Sequence, residues 1–115
     1  MGSEIPVFDK NDDMAEIKAA LDKAGCAVIR HIQTEANVDQ VKSELHEYMS
    51  QVPLATEDSP EEFYPANTRR LPAILARSPG SHAMALDNSI AQLCWHHLGS
   101  NCERYHLHVS AALEI

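Results

Sequence analysis

Seven histidines and three cysteines are the side chains here whose types could ligate a metal or act as nucleophiles. His106 and His108 are separated by one residue, so on a strand they project from one face and could offer two imidazoles to one cation. A structural zinc site wants four ligands, and no Cys or His pair at metal spacing accompanies them. His96 and His97 are adjacent and would point to different sides of a helix. Cys26, Cys94 and Cys102 are odd in number, widely spaced and form no Cys-x-x-Cys pair, which suits unlinked thiols buried as small hydrophobes in a reducing compartment. These patterns predict satisfied or exposed histidines, no metal ligand and no catalytic residue. An unrelated small α+β protein with a metal site at His106 and His108 is the competing reading.

A second group lies in the stretch from residue 54 to 70, which reads as a long loop punctuated by Thr56-Glu57-Asp58-Ser59-Pro60 and Tyr64-Pro65. Long loops inside compact domains often carry function. Tyr64, an aromatic before proline, reads as an anchor of the loop against a core. Thr68 reads as a helix cap, and Arg69 or Arg70 as a clamp for a carboxylate, or else as salt-bridge partners of nearby acids. The acidic residues Glu57, Asp58, Glu61 and Glu62 read as a solvated run.

Composition limits the partners. The apolar fraction is 44% and the formal net charge -8, so nothing here would replace the counterions around nucleic-acid phosphates or bind an anionic membrane. No apolar run approaches a membrane span, and MGSEIPVFDK lacks the basic-then-apolar pattern of a signal peptide, so the expected compartment is cytoplasmic.

The elements that must position these residues follow from periodicity and caps. After a short tail, a helix is predicted over 12–24, with cap oxygens from Asn11, Asp12 and Asp13, a stripe of Met14, Ile17, Leu21 and Ala24, and a stop at Gly25. Residues 26–32 are rich in β-formers and read as a buried strand. A second helix over 35–50 places Val38, Val41, Leu45, Tyr48 and Met49 inward, with Lys42, Glu44 and Glu47 outward. Helices are expected over 70–98: near Arg70 to Arg77, again after Ser78-Pro79, and from Asp87 to Leu98 with Ile90, Leu93, Cys94 and Leu98 buried and Gly99 closing.

From Tyr105 to Ile115 the residues alternate as in a half-buried strand over 104–115. Tyr105, Leu107, Val109, Ala111, Leu113 and Ile115 are predicted to face inward, with His106, His108, Ser110, Ala112 and Glu114 on the polar side. Such a strand needs neighbours, and one other good candidate precedes it, so the chain reads as the front portion of a larger β-containing protein.

The order and spacing of three segments carry a family resemblance. Asp22-Lys23-Ala24-Gly25-Cys26-Ala27-Val28-Ile29-Arg30, then Phe63-Tyr64-Pro65-Ala66-Asn67-Thr68-Arg69-Arg70 with Leu75-Ala76-Arg77-Ser78-Pro79, then Tyr105 to Ile115 resemble the phytanoyl-CoA dioxygenase superfamily. The likeness is to the fungal and bacterial non-haem iron enzymes that oxidise secondary metabolites, and it spans nearly the whole chain. It implies an α+β chain holding the N-terminal helices and first strands of a double-stranded β-helix, or jelly-roll, dioxygenase, an incomplete barrel over residues 1–115 whose two predicted strands are neighbours in one sheet or barrel. It implies Fe(II) and 2-oxoglutarate as cofactors of the full-length enzyme and a small-molecule substrate.

In that family a His-x-Asp pair and a distal His hold the iron, and an Arg farther along binds the cosubstrate. This chain contains no His-x-Asp, so neither cofactor is expected to bind it alone. By the same resemblance Tyr64 lies over the pocket mouth, and Val109 and Leu113 line the pocket near the metal or fill plain barrel core. A truncated, non-catalytic relative that serves as a binding or assembly partner, in a homo- or hetero-oligomer, is the alternative.

Overall fold

The computed structural model describes residues 4–55 and 66–115. In chain order they form β1 (Val7–Asp9), α1 (Met14–Ala24), β2 (Val28–Arg30), α2 (Glu35–Gln51), β3 (Arg69–Pro72), α3 (Ile74–Arg77), α4 (Ser81–Ala85), α5 (Asn88–Leu98) and β4 (Ala111–Glu114). The class is mixed helix and strand. The strands form two-stranded sheets, β1 with β2 and β3 with β4, and no closed barrel among the described residues. The chain divides into two compact units, one from Met1–Thr34 and Ala83–Tyr105, the other from Glu35–His82 and His106–Ile115.

In the first unit, Asp13 caps α1 by accepting from the Ala15 N–H at 3.0 Å, and Gly25 ends it at φ 76, donating its own N–H to Leu21 O. Ile17 is buried, at 1% exposure, with Met14 and Leu21 half-buried beside it. The predicted tail contains a strand: β1 runs parallel to β2 with Val7 opposite Val28 and Asp9 opposite Arg30, so α1 is the crossover of a β-α-β unit. Only three residues of the predicted 26–32 strand enter that ladder. Val28 is 44% exposed, because a two-stranded ladder this short covers one face only.

Asp87 caps α5 through the N–H groups of Ser89 and Ile90 at 2.9 and 3.2 Å. The predicted α5 stripe is only partly covered: Leu93 and Cys94 are half-buried, while Ile90 and Leu98 stay exposed. Gly99 closes the helix against Trp95, whose carbonyl oxygen would lie 2.6 Å from any added Cβ.

In the second unit, α2 buries Val41 and Leu45, and half-buries Val38 and Met49. Tyr48 stays exposed at the edge, with the Arg77 guanidinium 4.9 Å above its ring. Glu44 departs from its predicted outward position: it is half-buried and accepts hydrogen bonds from Ser78 Oγ at 2.5 Å and the Gly80 N–H at 3.0 Å.

Helix was predicted from Arg70, yet residues 69–72 are β3. Pro72 bars its predecessor Leu71 from helical backbone and favours an extended one. β3 pairs antiparallel with β4, Arg69 opposite Glu114, Leu71 opposite Ala112 and Pro72 opposite Ala111.

The same pairing overturns two expectations for the C-terminal segment. The strand over 104–115 contracts to Ala111–Glu114, because Pro72 has no N–H and ends the ladder, after which a single bond from the Ala73 N–H to Ser110 O follows at 2.8 Å. Residues directly opposite in an antiparallel pair share a face, so Ala112 lies on the side of Leu71, which is 3% exposed. The inward face is therefore the one predicted to be polar. Tyr105, Leu107, Val109, Leu113 and Ile115, all predicted inward, are exposed. The two strands read from sequence are also not partners: β2 joins β1, and β4 joins β3.

Candidate functional site

Of the residues singled out from sequence, Arg69, Arg70 and Leu113 come together on the β3–β4 pair. Thr68 directly precedes it, and Val109 lies just before β4 and is exposed. Tyr64, the Tyr64-Pro65 step and the acidic run at 57–62 lie outside the described residues. Thr68 is buried, at 4% exposure, but starts no helix; it precedes β3, and its carbonyl accepts the Ala55 N–H at 2.8 Å. The cap expected of it belongs to an element that does not form there.

Arg69 and Arg70 diverge, because adjacent residues on a strand point to opposite faces. Arg70 shares its face with Leu113, its partner across the ladder. Arg69 shares its face with Leu71, Ala112 and Glu114; its Nε donates to Val52 O at 3.2 Å, and one Nη lies 3.5 Å from the Glu114 carboxylate. That is the salt-bridge alternative for Arg69. Both partners are at least one-third exposed, so the bridge contributes about 0–1 kcal/mol and mainly fixes geometry.

On the inward side, the α2 residues Lys42, Leu45, His46 and Met49 face Arg69, Ala112 and Glu114 across a groove of about 530 Å³, with Leu113 at its edge. Sequence reading placed Leu45 and Met49 inward and Lys42 outward, but not the cleft they share. The signal was there in the helical spacing of Lys42, Leu45, His46 and Met49, which could be used only once the opposing sheet was known.

Other polar arrangements were not legible in advance. Asp9 Oδ2 holds His31 Nδ1 at 2.6 Å, where His31 sits in the left-handed region at φ 60. The Asp9 carboxyl is held below its usual range first by that imidazole and then by the Asn11 N–H. His96 Nε2 meets the Asp22 carboxylate at 2.8 Å, and His82 Nε2 meets Leu75 O at 2.7 Å. The strongest polar knot is Glu44, whose carboxyl is lowered chiefly by the Ser78 hydroxyl, then by the Gln40 amide and the Gly80 N–H.

His106 and His108 are exposed, and no three His, Cys, Asp or Glu side chains converge among the described residues. These residues do not fit a facial triad. Cys26 is exposed rather than buried, because it falls before the short β2 ladder begins; Cys94 and Cys102 are half-buried, and none of the three is in a disulfide. No helix among the described residues is long and apolar enough to cross a membrane. No family model matches this chain, and no curated protein matches it significantly.

Proposed function

We propose that the chain is the N-terminal segment of a non-haem Fe(II)- and 2-oxoglutarate-dependent dioxygenase that oxidises a small natural product, with no oxygenase turnover of its own. The order of the three resembling segments supports this reading. One structural observation carries it furthest: Arg69-Arg70 and the end of the Tyr105–Ile115 segment, which lie far apart in the chain, meet in register as β3 and β4. In this reading the pair is the start of a jelly-roll sheet, and the iron ligands and the arginine for 2-oxoglutarate lie downstream of Ile115, in the cytoplasmic full-length enzyme.

The test is to extend the reading frame past Ile115 and purify both products. The longer protein should contain a His-x-Asp and a distal His, bind iron stoichiometrically and release succinate from 2-oxoglutarate. The shorter should do neither. Stoichiometric iron and oxygen consumption by the short chain would overturn the proposal, as would a downstream frame without His-x-Asp.

One observation favours a second reading, that of a non-catalytic assembly partner. Leu107, Val109, Leu113 and Ile115 are exposed along the segment that ends in β4, a strand that pairs along one edge only among the described residues. Native mass of the endogenous protein separates the two: a short chain inside a stable complex supports the second, and a full-length enzyme the first.

A further inference from the structure

The β3–β4 pair also forms a groove with α2. Its volume of about 530 Å³ falls within the range of small-molecule sites. The floor is apolar, with Leu45 buried and Met49 and Ala112 half-buried, and Leu113 stands at the lip.

The rim is cationic. Lys42 and Arg69 line it, and among the described residues Glu114 is the single carboxylate lining it, already engaged by Arg69. A guanidinium has five N–H donors. Arg69 directs its Nε to Val52 O and one Nη toward Glu114, which orients the group and leaves further donors for an anion. A floor that takes hydrocarbon beneath two cations, in a chain of net charge -8, complements an amphipathic anion rather than a polyphosphate, which would need many more donors and no apolar bed.

We propose that this groove binds a small amphipathic monocarboxylate, its tail on Leu45, Met49 and Ala112 and its carboxylate taken by Arg69 and Lys42. The inference needs neither iron nor 2-oxoglutarate, since it uses only residues of α2, β3 and β4.

Octanoate, octanol and octylammonium, titrated below their aggregation limits into the isotope-labelled full chain, test it by amide chemical shifts. Octanoate should saturate, with shifts confined to His46, Met49 and residues 112–114, and bind at least about tenfold more tightly than octylammonium. Lys42→Glu should weaken octanoate about five- to thirtyfold, with Lys42→Gln intermediate and octanol binding unchanged. Leu113→Asn should weaken octanoate and octanol alike. Both positions are exposed, and circular dichroism checks that each variant folds. Octanol or octylammonium binding as tightly as octanoate, shifts scattered over the chain, or an octanoate affinity unmoved in Lys42→Glu would each overturn the proposal.

Discussion

Glu44 reaches Ser78, 34 residues away in the chain, through a 2.5 Å hydrogen bond from the Ser78 hydroxyl. Ser78 is fully buried, and the same carboxylate takes the Gly80 N–H at 3.0 Å and the Gln40 amide at 2.6 Å. One side chain on α2 thus holds the turn between α3 and α4. Ser78 Oγ accepts in turn from the Ser81 N–H, at 3.2 Å.

This knot makes stability depend on pH in a stated direction. The folded-state carboxyl of Glu44 titrates below its ordinary value of 4.5, so the unfolded chain takes up the proton first as pH falls. The contribution is complete above that ordinary value and is lost as pH drops from it toward the lowered one. Asp9, lowered from 3.8, adds a loss of the same sign at more acid pH. Urea midpoints measured between about pH 6 and 3 should fall more steeply for the natural chain than for Glu44→Gln. Parallel curves would show that the carboxylate does not hold the turn.

The β3–β4 register predicts an inversion of tolerance at neighbouring positions. Leu113, 60% exposed, should accept Asn with a change within about 0.5 kcal/mol. Ala112, opposite the buried Leu71, should not: Ala112→Asn places an amide against an apolar floor and should cost about 1–3 kcal/mol. Denaturant unfolding of the two variants decides it, and the opposite ranking would mean the strand faces the other way.

Leu71 joins Val41 and Leu45 as the buried apolar side chains of the second unit among the described residues. With so few, truncation removes a large share of the core. Leu71→Ala should cost about 2–4 kcal/mol, read as a lowered urea midpoint, and broaden the amide resonances of β4. A loss below about 1 kcal/mol would indicate that α2 does not rest on β3.

Two backbone positions test local strain. Ala73, at φ 58, occupies the left-handed region just before α3, where a Cβ is unfavourable by about 1 kcal/mol. Ala73→Gly should therefore raise the thermal midpoint by a few degrees. Gly25, at φ 76, has open space around it, so Gly25→Ala should be destabilising by about 1 kcal/mol through backbone strain alone. A neutral result at Gly25 would mean that α1 ends differently.

The helices were legible because their signals are local. Asp13 and Gly25 bound α1, Asp87 and Gly99 bound α5, and the stripe through Val41 and Leu45 sets the buried side of α2. The candidate site was legible only as residue types. Arg69, Arg70 and Leu113 were marked in advance, but which arginine shares a face with Glu114, and whether Leu113 or Ala112 turns inward, depended on a partner strand hidden in what read as helix.

Composition, caps and helical periodicity settle the helices of this protein, since a helix closes its hydrogen bonds four residues away and carries its own punctuation. Strand identity, register and face, and with them the groove over Leu45 and the reach of Glu44 to Ser78, were decided by folding. A strand's hydrogen bonds and its buried side belong to whichever distant segment pairs with it.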